Sequence, residues 1–217
     1  MNFSIVIPTL NEEKYLSGIL DSLVAQTHDN FEVIVVDSPK TNDKTGEVAK
    51  SFIDKINLQY IVADKGGVAY QRNYGAKLSK YDTILFFDAD TLIEPVFLNK
   101  IDVFLSNNNI DIVNCWASPI SKKRRDKMMF WAFNQIREPL KKFNPIVIGA
   151  FIAVNKKSFF DVDGFSSEVA YGEDSELALR MQKKGYKFAL LRDPLIYFSV
   201  RRLDINGRMN FIKLNIG

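Results

Sequence analysis

Short apolar runs alternate with segments of helical periodicity through the first half of the chain. Runs rich in β-branched and aromatic residues predict strands at 3–7, 31–36, 58–62, 83–87 and 110–116. Between them, apolar residues recur at helical spacing in segments 15–24, 43–56, 69–78 and 93–105. Strands that alternate with helices need crossover connections. The pattern therefore predicts an α/β fold with a mostly parallel central sheet flanked by helices.

The second half of the chain is less regular. The apolar run 146–154 contains Gly149, a residue small enough to let another group approach the backbone. Short strands are predicted at 186–191 and 195–200, while 209–216 has no clear period and predicts a docked or a mobile tail. We expect all 217 residues to form one domain.

Three predicted strands end at residues that could contribute to a binding site, namely Pro8, Asp37 and Asp88. In open α/β sheets, ligands bind beyond the carboxyl ends of the strands. The stretch Asp88-Ala89-Asp90 brings two carboxylates together around one small residue, and they repel unless a cation lies between them. A divalent ion shared with phosphate oxygens would supply that charge. The alternative is a turn that closes the strand, where Asp is common.

Overall composition is that of an ordinary globular protein, with 47% hydrophobic and 25% charged residues. The net charge of +3 gives no indication of a nucleic-acid partner. The single Cys115 excludes an internal disulfide framework and favours a reducing compartment. We find neither a leader-like N-terminus nor an apolar window of about 18 residues, so we expect no secretion by a leader and no spanning helix.

A basic segment precedes a bulky apolar cluster near the middle of the chain. Within 121–133, five cations come directly before a run of Met, Phe and Trp, and Lys141-Lys142-Phe143 repeats the combination. Such a segment can lie in a membrane interface beside anionic headgroups. The alternative is a solvated helix whose apolar side covers the protein core.

Five short motifs, in order between residues 3 and 190, resemble those of the family 2 glycosyltransferases. They are Ile5-Val6-Ile7-Pro8-Thr9-Leu10-Asn11-Glu12-Glu13, Val35-Val36-Asp37, Gln71-Arg72-Asn73-Tyr74-Gly75, Phe87-Asp88-Ala89-Asp90 and Gly172-Glu173-Asp174. The resemblance implies the GT-A fold, which is Rossmann-like. It also implies an enzyme of hexosyltransferase type that uses a nucleotide-sugar and inverts the anomeric carbon.

The resemblance assigns most candidate residues to the nucleotide-sugar. Its nucleoside-binding first loop corresponds to Pro8, Thr9, Asn11 and Glu12, with Asp37 at the base and Arg72 beside the base or phosphates. Asp88, Ala89 and Asp90 match the Asp-x-Asp motif, in which Asp88 lies nearer the ribose and Asp90 holds Mg²⁺ or Mn²⁺ against the diphosphate. Both carboxylates are candidate metal ligands.

The resemblance assigns the acceptor chemistry to the last motif. Asp174 matches the catalytic base, and Glu173 is its supporting neighbour. An acceptor hydroxyl must lose its proton as it attacks an oxocarbenium-like carbon, so one positioned carboxylate can act as the base. Acids in a first helical turn also have a simpler explanation, because the helix dipole stabilises them.

The sequence departs from the family pattern at three places. Asp37 is followed by Ser38-Pro39, where the family commonly has a second acid and a small residue. Many members have a metal-binding His after the last core strand, whereas 196–199 has none. We therefore expect either that Asp90 and water hold the metal or that the metal binds weakly. The Gln-x-x-Arg-Trp signature of processive synthases is absent, which favours a single-addition transferase.

The leading hypothesis is a metal-dependent inverting glycosyltransferase that uses a UDP-sugar. We expect a glycan or lipid-linked acceptor, a cytoplasmic location, possible peripheral contact with the membrane through 122–143, and no nucleic-acid partner. Residues 1–116 would bind the nucleotide-sugar and 117–217 the acceptor. The alternatives are a non-catalytic nucleotide-sugar-binding or scaffolding subunit and, with less support, a nucleotidyltransferase.

Overall fold

One mixed sheet with helices on both faces forms the body of the protein. The structure is a computed structural model, and it describes residues 1–169 and 171–201. Within these residues, the strands are β1 (Phe3–Thr9), β2 (Phe31–Asp37), β3 (Leu58–Val62), β4 (Thr83–Phe87), β5 (Thr91–Leu92), β6 (Ile112–Ile120), β7 (Phe151–Asn155) and β8 (Phe188–Ser199). The helices are α1 (Leu16–Val24), α2 (Thr45–Lys50), α3 (Val68–Leu78), α4 (Phe97–Asn107), α5 (Arg124–Leu140), α6 (Lys156–Asp161) and α7 (Glu173–Lys183).

The strands lie in the order β3-β2-β1-β4-β7-β6-β8-β5. β1 is parallel to β2 and β4, β2 is parallel to β3, and β6 is parallel to β8. β7 lies between β4 and β6 and is antiparallel to both, while β5 is antiparallel to β8. The predicted α/β fold with a mostly parallel sheet is confirmed. The carboxyl ends of β1, β2, β4, β6 and β8 share one edge.

Alternate strand residues fill two separate core layers. One layer packs α1, α2, α4 and α5 against side chains such as Ile5, Val33, Leu85 and Phe87. The other packs α3, α6 and α7 against Val6, Ile34, Ile84 and Phe86. Both faces are covered, and this explains why the central strands read as continuous apolar runs.

α3 lies unusually close to the sheet. A Cβ atom at Gly75 would overlap the side chain of Val6 and lie 3.1 Å from Val36. Glycine at this position lets the helix pack directly on β1 and β2. The close packing fixes how far the residues one turn earlier, which include Arg72, lie from the sheet.

The structure differs from the sequence predictions in several elements. The predicted strands 186–191 and 195–200 are parts of one long strand, β8, whose pairing with β6 shifts register between Cys115 and Ala117. Residues 192–195 leave the ladder there, and one of them is Pro194, which has no N–H to donate. Helix 43–56 shortens to α2, helix 93–105 becomes β5 and α4, and the 209–216 tail lies outside the described residues.

The basic segment forms most of α5, which covers the core as the alternative hypothesis expects, while contact with a membrane stays a prediction. Phe130 and Phe133 are buried in the core, as expected of a helix that covers the sheet. Met128, Trp131 and Phe143 remain 71%, 61% and 81% exposed. In the part of the chain that the structure describes, no helix is long and apolar enough to cross a membrane.

Candidate active site

The ends of β1, β2 and β4 bring the predicted donor residues to one edge of the sheet. Thr9 and Asp37 are opposite each other in the parallel pair β1–β2, and Asp88 follows β4, the other neighbour of β1. Pro8 is buried within β1 opposite Val36. Regular parallel pairing therefore brings these strand ends together at one edge.

Asp37 is buried and surrounded by donors from its own protein. Its Oδ1 accepts hydrogen bonds from Thr9 Oγ1 at 2.7 Å, Thr41 Oγ1 at 2.6 Å and the Ser38 amide at 3.0 Å. Its Oδ2 accepts from the Tyr60 hydroxyl at 2.7 Å, and burial together with this bond raises the pKa of Tyr60. Oδ2 therefore keeps capacity for a further donor. The contact between Asp37 and the base of a nucleotide stays a prediction, and Oδ2 is the oxygen that could accept it.

The first loop is tied to the segment before α2. Asn11 has φ 57° and accepts from the Asn42 amide at 2.9 Å, while the Glu12 amide donates to Thr45 Oγ1 at 2.7 Å. Asn11 is exposed, and Glu12 is only 9% exposed. The loop thus presents one solvent-facing amide side chain and one nearly buried carboxylate.

Three consecutive residues of α3 hold three different parts of the site. Gln71 Nε2 donates to the carbonyl oxygens of Thr9 and Val36 at 2.8 and 2.7 Å, which joins the ends of β1 and β2. Asn73 exchanges two hydrogen bonds with the backbone of Phe165, at 2.8 and 2.9 Å. Arg72 lies between them and turns towards the acidic motifs.

Arg72 joins the Asp-x-Asp motif to the last motif. Its Nη2 is 2.9 Å from Asp88 Oδ1, and its Nη1 is 2.6 Å from Asp174 Oδ1 and 3.2 Å from Glu173 Oε1. Nη2 also donates to the Gly149 carbonyl at 3.1 Å. Burial disfavours the charged form, but attraction to the carboxylates outweighs it and the pKa of Arg72 is raised. A single guanidinium connects carboxylates that are far apart in the chain.

Asp174 is buried against the backbone of Gly149. α7 begins at Glu173, after Gly172 with φ 78°, and Asp174 points back into the protein. A Cβ atom at residue 149 would overlap the Asp174 carboxylate, so glycine is required for this approach. Burial raises the pKa of Asp174 to about 7, against the lowering effect of Arg72. Stabilisation by the helix dipole alone does not explain such a buried acid.

The Asp-x-Asp stretch forms a turn, and its two carboxylates pair with arginines. The Thr91 amide donates to the Asp88 carbonyl at 3.2 Å, which closes a turn around the buried Ala89. Asp88 pairs with Arg72, and Asp90 Oδ2 lies 2.9 Å from Arg201 Nε. Within residues 1–169 and 171–201, no group of three or more His, Cys, Asp and Glu residues could hold a metal ion. The two carboxylates, Asp88 and Asp90, suit an ion whose remaining ligands are water or substrate oxygens.

A family model matches most of the chain. The family model described as glycosyl transferase family 2 matches residues 4–164, which is most of the chain. The chain belongs to glycosyl transferase family 2. The family predicted from the motifs is confirmed.

Two curated relatives show what this family 2 chain is similar to. The poly(ribitol-phosphate) β-N-acetylglucosaminyltransferase TarS of Staphylococcus aureus is 32% identical over 210 residues, covering 93% of this chain and 36% of the relative. The minor teichoic acid biosynthesis protein GgaB of Bacillus subtilis is 29% identical over 227 residues, covering 99% and 24%. The chain therefore spans about a third of their length or less.

Solved structures share the fold of this family 2 chain. S. aureus TarS 1–349 in complex with UDP-GlcNAc has a TM-score of 0.76 at 22% identity, covering 93% of this chain and 59% of that one. The mannosyltransferase PcManGT from Pyrobaculum calidifontis, in complex with GDP-Man and Mn²⁺, also gives 0.76 at 22%, covering 93% and 57%. The GT-A fold expected from the motifs is confirmed.

The sequence motifs missed two contributors to the site of this family 2 chain. Gly149 was noted as open to close approach, and the structure shows that Asp174 and Arg72 are what approach it. Arg201 lies just beyond β8, a strand that ends at the same edge as β4, and a cation beyond such a strand is a detectable signal. Because the sequence predicts two short strands in place of β8, it does not show that Arg201 lies beside Asp90.

Proposed function

We propose that this chain is the catalytic domain of an inverting glycosyltransferase that moves a sugar from a UDP-sugar to a glycan or lipid-linked acceptor. The observation that carries the proposal is the position of Arg72 between Asp88 and Asp174. Through this shared partner, the predicted donor-binding carboxylate and the predicted base lie on either side of one guanidinium, and this supports their assignment to one site.

Asp174 acts as the base in this proposal, and Glu173 supports it through their shared partner Arg72. The acceptor oxygen attacks the anomeric carbon, the bond from that carbon to the phosphate oxygen breaks, and the acceptor proton passes to the Asp174 carboxylate. The leaving group is UDP. A carboxylate with a pKa raised to about 7 is well matched to proton removal near neutral pH.

Asp88 and Asp90 would hold Mg²⁺ or Mn²⁺ in this proposal. Mg²⁺ is usually bound through one or two carboxylates together with substrate phosphates and water, which suits the two acids present. When bound, the ion would neutralise charge that develops on the diphosphate. The Mn²⁺ complex of the mannosyltransferase with the same fold supports the use of a divalent ion.

The donor residues and the acceptor residues come from the two halves of the chain. Residues 1–116 contain Glu12, Asp37, Arg72 and the Asp-x-Asp motif, and we assign them to the nucleotide-sugar. Residues 117–217 contain Asp174, and we assign them to the acceptor. UDP is favoured because TarS, the relative with UDP-GlcNAc bound, has the same fold.

The surface of α5 supports an acceptor that is reached at a membrane. Exposed Met128, Trp131 and Phe143 lie among the cations of segment 122–143, a combination typical of interfacial segments. Anionic lipid headgroups attract such segments. We therefore assign the protein to the cytoplasmic face of a membrane as a peripheral protein.

A donor screen tests the proposed function directly. We expect UDP and one UDP-sugar, with Mn²⁺ present, to raise the melting temperature more than GDP- or dTDP-sugars do, because ligands that bind the native state stabilise it. UDP release from the stabilising sugar should then follow. A non-catalytic nucleotide-sugar-binding subunit would show the stabilisation but no UDP release with any donor or acceptor.

A further inference from the structure

Arg201 joins two carboxylates from different sides of the candidate active site. Its Nε lies 2.9 Å from Asp90 Oδ2, and its Nη2 donates to Glu12 Oε1 at 2.5 Å. The guanidinium also lies over the Tyr15 ring, 4.3 Å from its centroid. The Ser199 amide donates to the Asp90 carbonyl at 3.1 Å and brings the end of β8 to this place. The sheet itself therefore positions the contact.

The Arg201 guanidinium and a divalent ion are alternative partners for Asp90. Either cation would offset the repulsion between the Asp90 and Glu12 carboxylates. An ion held by these two residues would bind the carboxylate oxygens that Arg201 now contacts. Glu12 points to a further ligand at this place, because the residue is only 9% exposed and its Oε2 has no hydrogen-bond partner among residues 1–169 and 171–201. A buried carboxylate oxygen of this kind is costly unless a donor or a cation reaches it.

We propose that Arg201 occupies the cation-binding position of Asp90 while the nucleotide site is empty, so that a divalent ion binds tightly only together with a diphosphate. The diphosphate contributes oxygen ligands to the ion and offers the displaced guanidinium a new anionic partner. The inference rests on the proposed function, since it assigns the anion to the donor. Nucleotide and metal then each raise the affinity of the protein for the other.

Removal of the Arg201 charge should remove one cation that competes with the ion for Asp90 and Glu12. In the nucleotide-free protein, we expect Arg201→Gln to bind Mn²⁺ about tenfold more tightly than the wild type, the factor that corresponds to one hydrogen bond between charged groups. Arg201→Lys keeps the charge and should stay weak. Arg192→Gln is the matched control, because Arg192 is in β8, the strand that Arg201 follows, but contacts Glu138 and Trp116.

The experiment is a titration with Mn²⁺ in which the unbound ion is measured by electron paramagnetic resonance, with and without UDP. The inference is overturned if Arg201→Gln, shown to be folded by thermal melting, binds Mn²⁺ no more tightly than the wild type without UDP. It is also overturned if UDP leaves the Mn²⁺ affinity of the wild type unchanged while the nucleotide itself binds, a test that needs no variant. Failure of UDP to bind under any condition would instead remove the proposed function.

Discussion

At the scale of single residues, Asp174 is an acid whose chemistry is strongly altered by its surroundings. It is buried against Gly149 and paired with Arg72, and its pKa is raised to about 7. We expect Asp174→Asn to lower the rate of sugar transfer by about 10²–10⁴-fold, the usual contribution of a general base. UDP affinity, measured by calorimetry, should change little, because Asp174 lies on the acceptor side.

Glu176→Gln is a suitable control for this substitution. Glu176 is in the first turn of the same helix, but it pairs with Arg180 at 2.7 Å instead of with Arg72. The control should retain transfer activity near the wild-type level. Equal losses in both variants would mean that α7 matters only for stability and that Asp174 is not the base.

The raised pKa of Asp174 also predicts a pH dependence. The base must be a carboxylate, so kcat/KM should rise with pH through about 7, and this step should be absent from the residual activity of Asp174→Asn. Stability should change in the opposite direction. The folded-state pKa lies above the ordinary value of 3.8, so the protonated form stabilises the fold at low pH and this contribution is lost as pH rises towards 7. Thermal melting of the wild type and of Asp174→Asn between about pH 5 and pH 8 measures this contribution of Asp174 to stability.

At the scale of elements, the site depends on how closely α3 packs on the sheet. We expect Gly75→Ala to cost about 1–3 kcal/mol of unfolding free energy, because its Cβ would overlap Val6. UDP affinity should fall as well, since Gln71 and Arg72 move with the helix. Urea unfolding and calorimetry measure the two effects.

Gly18→Ala provides the comparison in another helix. A Cβ atom at Gly18 would lie 3.0 Å from only the end of the Leu92 side chain, which can move. Alanine also favours helix more than glycine does. This variant should stay within about 1 kcal/mol of the wild type. A Gly75→Ala protein that is equally stable and binds UDP normally would contradict the role given to the close packing.

Sequence patterns predicted the strands better than they predicted which strands are neighbours in the sheet. The runs at 3–7, 31–36, 58–62 and 83–87 correspond to β1 to β4, because β-branched runs between turn signals specify buried strands. The same patterns contain no information on strand order, so they could not show that β7 enters antiparallel between β4 and β6. That insertion places Gly149, two residues before β7, beside Arg72. Side-chain contacts over more than 70 residues of sequence, such as Gly149 with Arg72, were likewise beyond periodicity.

At the scale of the whole molecule, the basic and apolar surface of α5 predicts binding to anionic membranes. We expect the protein to bind vesicles that contain phosphatidylglycerol at low salt, with a blue shift of Trp131 fluorescence, and to dissociate near 1 M salt, where the Debye length falls to about 3 Å. Lys127→Glu combined with Lys142→Glu should weaken binding by about tenfold or more, because each cation contributes roughly 1 kcal/mol.

A double variant on the other face of the sheet controls for net charge. Lys77→Glu combined with Lys157→Glu changes the charge equally, and both residues are exposed on α3 and α6. It should bind vesicles as the wild type does. Equal weakening by the two double variants would reduce the attraction to a general charge effect, and absence of binding at low salt would remove the membrane surface from the proposal.

The three adjacent contacts of Gln71, Arg72 and Asn73 have a consequence for how the protein tolerates change. A helix rotates about 100° per residue, so consecutive side chains point in different directions and each of these reaches a separate segment. Insertion or deletion of one residue near the start of α3 would rotate all three away from their partners at once. The strand ends, the acidic motifs and the Phe165 turn would then lose their common anchor. We expect natural length variation to be accommodated in the loops, while this stretch keeps its length.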